Sequence, residues 1–269
     1  MTKPACVECG GDLPAVRRTG RPRRYCTRAC QARAYRRRRD RGRTAVPYVG
    51  RASPLGGADT TADAVLAAAI RIADRGGIEA VTVRAVAVRA GVSPATAHRH
   101  VGNRDALVAA MVHCVLTPAV EPVGPPRGRL ASLARQEWQR YRRHPWLVAV
   151  LASTRPPLVP TVLAGVDAAV RALIEHGLDP DDALAAYLAL NGYVQGMALL
   201  LDAERRERAT AVSYRAWWAG EVARLERTGA THRHPWLAGA AAGLAADADV
   251  TAWFEAGLRR VLTGILTTP

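Results

Sequence analysis

The sequence predicts an all-α protein, and three observations carry that expectation. Apolar residues recur at a helical period over most of residues 60–269, the breaks between such stretches are Gly and Pro pairs with helix-capping neighbours, and a helix–tight turn–helix pattern stands near residue 90. In front of these lies a short arm holding four of the five cysteines. The expected organisation is a zinc-finger-like, four-cysteine basic module over residues 1–43, a linker over 44–59, a DNA-reading helix-turn-helix domain over 60–116, and a helical ligand-binding and dimerisation domain over 127–269.

The arm comes first in the chain. Cys6 and Cys9 have the spacing of a metal-binding knuckle followed by Gly10 and Gly11, and Cys26 and Cys30 share one face at the start of a helix that Thr27 can cap. Cys-x2-Cys-x16-Cys-x3-Cys can place four thiolates in a tetrahedron, so a structural Zn2+ held by Cys6, Cys9, Cys26 and Cys30 is expected. The competing readings are reduced free cysteines in a disordered arm, or disulfides. The fifth cysteine, Cys114, falls in an apolar helical run and reads as core.

Charge is concentrated in the same arm. The chain carries a formal net charge of +15, and residues 1–51 hold a net +12 of it. Gln31 to Arg43 continues the predicted helix with cations nearly all round, and Lys3 is the only lysine among 38 basic residues. Such a helix buries nothing and neutralises much, so duplex phosphates are its expected partner. A solvated tail, or RNA with Tyr35 as one stacking ring, are the other readings. Pro47, Gly50, Pro54, Gly56 and Gly57 mark the linker that follows.

The helix-turn-helix occupies Thr82 to Val101. A helix opening at Thr82 must stop at Gly91, which tolerates a positive φ, and Ser93 followed by Pro94 gives a cap and a first-turn residue for the next helix. Ala87, Val92 and Val101 are small or branched apolar residues placed to hold the two helices together. The second helix is then free to enter a major groove.

Further helices are expected over roughly 127–143, 145–153, 158–176, 180–206, 213–227 and 247–266, separated at His144-Pro145, Pro156-Pro157 and Gly177-Leu178-Asp179-Pro180. Ala183 to Leu201 is apolar nearly all round apart from Asn191 and Gln195, which makes it a central helix. No uninterrupted run of eighteen apolar residues and no signal core appear, so neither a membrane span nor export is expected and the cytoplasm is the default. An enzyme is not expected either, since no phosphate loop, nucleophile elbow or paired carboxylates stand in a suitable context.

Residues 60–116 resemble the DNA-binding domain of the tetracycline-repressor (TetR) family of bacterial regulators. Members of that family carry a Thr opening the second helix, a Gly-Val-Ser turn, and Thr-Leu-Tyr-x-His-Phe/Val followed by Asn-Lys. This chain reads Thr82, Gly91-Val92-Ser93, Thr96-Ala97-His98-Arg99-His100-Val101 and Asn103-Arg104, with Ala97 where Leu is usual and His98 where Tyr is usual. The body resembles the family's C-terminal domain in its His144-Pro145-Trp146-Leu147 and Gly177-Leu178-Asp179 neighbourhoods.

The resemblance implies a ligand-responsive dimeric repressor that binds a double-stranded palindromic operator. Together with position on the second helix, it nominates Ser93, Ala95, Thr96 and Arg99 for base edges, and Thr82, His98, His100 and Arg104 for phosphates. It also implies a homodimer through the central and last helices, and an unidentified small-molecule effector. Polar residues on otherwise apolar helices, His113, Trp138, Tyr141, Asn191, Gln195 and Trp217, are the ligand candidates. Where the tetracycline repressor places a magnesium-ligating histidine just before Thr-Arg-Pro, this chain has Leu151 ahead of Thr154-Arg155-Pro156, which argues against a metal-chelated tetracycline. The alternative from a different class is a zinc-bearing RNA-binding or scaffold protein that uses the basic arm as its main surface.

Overall fold

A computed structural model describes residues 5–13, 24–42, 60–117, 121–208, 214–236 and 250–267. The expected linker over 44–59 lies outside them. The described residues form α1 (Arg28–Gly42), α2 (Thr60–Gly76), a short 3-10 turn (Ile78–Ala80), α3 (Val83–Ala90), α4 (Pro94–Val101), α5 (Arg104–Leu116), α6 (Pro126–Arg143), α7 (Trp146–Leu151), α8 (Pro160–His176), α9 (Pro180–Arg208), α10 (Tyr214–Arg227), α11 (Ala230–Arg233) and α12 (Val250–Leu266). Among the described residues the only non-helical pairing is an antiparallel bridge between Ala5 and Asp12. The all-α expectation holds, and the expected helices agree with the observed ones to within a few residues.

Helices α2 to α4 make a compact head in which each packs on the other two, and α5 packs on α2 and α4. Its core is built of small residues, with Val65, Ala68, Ala69, Val86, Ala87 and Ala97 fully buried. Small side chains let the three helices approach closely, which fixes the angle at which α4 is presented.

The body is layered differently. α6, α8 and α9 pack pairwise on one another, α12 packs on α6 and α9, and α5 leans on α8. Large aromatics fill the centre: the Trp138 and Phe254 rings stack with centroids 4.5 Å apart and planes 6° from parallel, and Tyr193 also stacks with Phe254, at 5.9 Å. Arg135 on α6 grips the Glu255 carboxylate of α12 with two nitrogens, at 2.9 and 2.8 Å.

Helix α9 is central to the body, as its composition predicts, yet only one side of it is covered. Leu184, Leu188, Leu199 and Leu200 are exposed together with Gly192 and Gly196, while Ala183, Leu190, Val194 and Ala198 are buried against the body. By length and composition α9 is apolar enough to cross a membrane, contrary to the sequence reading that weighed only unbroken apolar runs. Its buried side is packed on α6, α8 and α12, so the exposed leucines form one stripe rather than a full circumference.

Candidate functional site

The reading head is set by side-chain caps. The Thr82 hydroxyl accepts from the Ala85 backbone N–H at 3.1 Å and starts α3. Gly91 ends it at φ 68°, and the Val92 N–H bonds back to the Ala87 carbonyl at 3.0 Å, closing a Schellman turn. The Ser93 Oγ accepts from the Thr96 N–H at 3.1 Å, with Pro94 in the first turn of α4, and the Asn103 Oδ1 accepts from the Ala106 N–H at 2.8 Å to start α5.

These caps aim one face of α4 at solvent. Ser93, Pro94, Ala95, His98 and Arg99 are exposed, Thr96 and His100 are half-buried, and Ala97 and Val101 anchor the helix to the core. The Ala97 departure from the family pattern is therefore a packing position, closed by a methyl where a larger side chain would need more room. The Ser93 and Thr96 hydroxyls lie 2.8 Å apart and share a hydrogen bond.

Around α4 the expected phosphate residues take different positions. Thr82 is exposed at the start of α3, and Arg104 is held to the Ile78 carbonyl and to Glu79, both at 3.1 Å. That exposed ion pair is worth little in water and can be exchanged for a phosphate at small cost. The structure adds two residues that sequence reasoning passed over: Arg84 and Arg89 on α3 line a shallow hollow with Thr82 and Val88. The signal was there, since both flank the buried pair Val86 and Ala87 without joining it.

In the arm, the thiol sulfurs of Cys6, Cys9, Cys26 and Cys30 lie within 4.8 Å of one another, with Cys9 to Cys26 and Cys26 to Cys30 both at 3.5 Å. A tetrahedral zinc with bonds near 2.3 Å needs sulfurs about 3.8 Å apart, so the donor set fits the ion. The knuckle is closed by the Cys6 N–H on the Gly11 carbonyl and the Gly10 N–H on the Cys6 carbonyl, and the Thr27 Oγ1 accepts from the Cys30 N–H at 3.2 Å, as expected of its cap. Burial pushes the Cys6 thiol up, but backbone N–H groups of Cys26, Glu8 and Cys9 outweigh it and bring it down to about 6. Cys26, with sulfurs of Cys9 and Cys30 against it, is pushed up to about 12. Arg33 donates to the Cys30 sulfur at 3.0 Å.

The ligand candidates divide among three places. Trp138 and Tyr141 on α6 are buried, Tyr141 is within hydrogen-bonding reach of Gln195 on α9, and Gln195 donates to Asn191 at 3.4 Å. His113 instead meets Thr161 of α8 at 3.2 Å, near the junction of head and body. Trp217 is half-exposed on α10, where it touches Tyr214 at 5.6 Å. Glu137 was missed: the Tyr141 hydroxyl donates to its Oε1 at 2.5 Å. It stands three residues after Ala134 and four before Tyr141, on the buried stripe of α6, where a carboxylate is out of place.

Beside the His113–Thr161 contact and the packing of α5 on α8, one acid ties head to body. The Asp74 Oδ1 at the end of α2 accepts from both His144 Nδ1 and Trp146 Nε1, each at 2.8 Å.

Two family profiles match the chain, "Bacterial regulatory proteins, tetR family" over residues 65–111 and "Tetracyclin repressor-like, C-terminal domain" over 120–268. The chain belongs to the TetR family. Among its relatives, the HTH-type transcriptional repressor DrrR1 of Streptomyces coeruleorubidus is 32% identical over 211 residues, which is 76% of this chain and 77% of that protein. The TetR family protein ActR of Streptomyces coelicolor, solved in complex with actinorhodin, superposes with a TM-score of 0.62 at 26% identity, covering 78% of this chain and 97% of ActR. A second TetR-family structure, ActR in complex with (S)-DNPA, gives 0.63 at 24% identity over 78% of this chain and 98% of that one. This TetR-family chain is a DNA-binding transcriptional regulator. The family is generally non-enzymatic. The RNA-binding or scaffold alternative is not favoured. Both profile matches lie C-terminal to the four-cysteine module.

Proposed function

We propose that the protein is a cytoplasmic, dimeric repressor that reads an inverted-repeat operator with α4 and releases it when a small molecule enters the body. The observation that carries this reading is the exposed face of α4, capped by Ser93 and anchored by Ala97. Arg99 is assigned to a guanine edge, Ser93, Ala95 and Thr96 to neighbouring base edges, and Thr82, Arg84, Arg89, His98, His100 and Arg104 to phosphates. One eight-residue helix makes too few contacts for useful specificity, so two copies related by a twofold are required. The leucine stripe of α9 gives them the surface to pair, with α12 beside it forming a four-helix bundle.

Zn2+ bound by Cys6, Cys9, Cys26 and Cys30 would organise the arm and would supply folding free energy on the order of 10 kcal/mol to a segment with almost no core of its own. The purified chain is expected to release about one zinc per protomer on thiol titration, and Cys9→Ser to release none. Zinc-free wild type with full resistance of the arm to proteolysis would remove the metal from the reading.

Salt titration tests the whole. Full-length protein should prefer the duplex upstream of its own coding region to a scrambled one, and deletion of residues 1–51 should weaken binding and lower the salt slope by several units. Equal weak binding to both duplexes would remove the operator assignment, and an unchanged slope would remove the arm from the DNA.

A further inference from the structure

We propose that Glu137 is the charge-recognising group of the effector site, and that the effector it selects is an aromatic molecule carrying a protonated amine. The proposal rests on the ligand-responsive reading and adds the chemistry of the ligand.

Glu137 lies on the buried stripe of α6 with Leu130, Ala134, Trp138 and Tyr141. It is half-buried there, so it keeps some accessible surface that a ligand could reach. Its hydrogen-bond partner among the described residues is neutral, the Tyr141 hydroxyl, itself linked to Gln195 and through it to Asn191. Tyr187 of α9 is close enough for the carboxylate's charge to raise its hydroxyl. Arg140 is the one cation among the described residues whose charge acts on Glu137, but its guanidinium is turned to the Leu116 carbonyl at 3.4 Å, and among the described residues Glu137 makes no ion pair.

A carboxylate without a cation in a poorly hydrated site is costly and settles only by taking a proton or by meeting a positive charge. Burial accordingly holds this carboxyl up at about 7, so that near neutral pH the ionised form is available at little cost. Two further features define the remainder of the ligand. Two tyrosines, Tyr141 and Tyr187, stand close to the carboxylate, and an electron-rich ring face attracts an ammonium. Trp138, almost fully buried, has an indole N–H with no hydrogen-bond partner, which an acceptor on the ligand would satisfy. A neutral or anionic ligand would leave the carboxylate as unpaired as it is without one.

The test is calorimetric titration of the full chain at pH 8 with 1-naphthylmethylamine and, as its uncharged counterpart of the same shape, 1-naphthalenemethanol. The amine is expected to bind about ten-fold or more tightly than the alcohol. Glu137→Gln should bind the two alike, and Tyr141→Phe, which keeps the carboxylate, should keep the preference. Equal binding of both probes by the wild type, a preference that survives Glu137→Gln in a variant that melts cooperatively, or absence of binding by either probe up to about 5 mM would overturn the proposal. Operator affinity measured on the same samples without probe reports separately on the regulator reading.

Discussion

Head and body are both helical, but they are built by different means. In the head, α3, α4 and α5 each begin on a residue whose own side chain caps the helix, Thr82, Ser93 and Asn103, and the core is largely alanine and valine. In the body, α6, α7 and α8 begin at Pro125, Pro145 and Val159 with no side-chain cap, α9 alone of the helices from α6 to α9 being capped, by Asp179, and stacked aromatics join α6, α9 and α12. Local caps fix a helix's ends against its own backbone, whereas packing fixes it only against its neighbours. The head is thereby suited to present one constant surface, and under the proposed function the body is the part that an effector would rearrange.

The contrast can be broken most strongly at Trp138. Trp138→Ala should cost about 3–5 kcal/mol in urea denaturation, because it removes the stack on Phe254 from the centre of the body. Trp138→Phe keeps the ring and deletes the unpartnered N–H, and should cost far less; a loss as large as that of alanine would mean that the N–H is bonded in solution.

Next in size is Glu137. An unfolded glutamate loses its proton near its ordinary value of 4.5, and the folded one only at about 7, so between these values the unfolded state binds fewer protons and stability falls as pH rises. Glu137→Gln should therefore gain up to about 3 kcal/mol relative to the wild type between pH 4 and pH 8, read from paired thermal melts. An equal difference at both pH values would show that the carboxyl is not held up by burial.

The smallest effect tests the head. Ser93→Ala should cost about 1 kcal/mol through the lost cap on α4, and operator affinity should fall with it. Ser93→Gly should cost only a few tenths of that order in stability, so a loss of operator affinity undiminished in glycine would assign the hydroxyl to DNA as well as to the cap.

The same contrast explains what was legible. Gly91, Ser93-Pro94 and Thr82 act within a few residues of themselves, so the head could be read from the sequence to within a residue or two. The four thiols were legible for a related reason, since metal-ligand spacing is a local property even though Cys9 and Cys26 are seventeen residues apart. Body helices were found from their breaks, but which polar side chains meet depends on packing between distant elements. Trp217 therefore fell in a half-exposed aromatic cluster with Tyr214, His113 at the junction, and Glu137 was overlooked although its place on the stripe of α6 was countable. That α9 would be central was foreseen from its composition, whereas a bare side on it followed only from the homodimer that the resemblance implies, because composition does not say how many neighbours a helix has.

Asp74 gives the molecule something like a mechanical fuse. One oxygen at the foot of the head holds two donors from the same short segment of the body, both at 2.8 Å. A shift of that segment by about one ångström along the bonds would carry both past hydrogen-bonding length at once, instead of weakening them in turn. These two bonds would thus be lost together, in a single step, while the His113–Thr161 bond and the packing of α5 on α8 go on holding head to body.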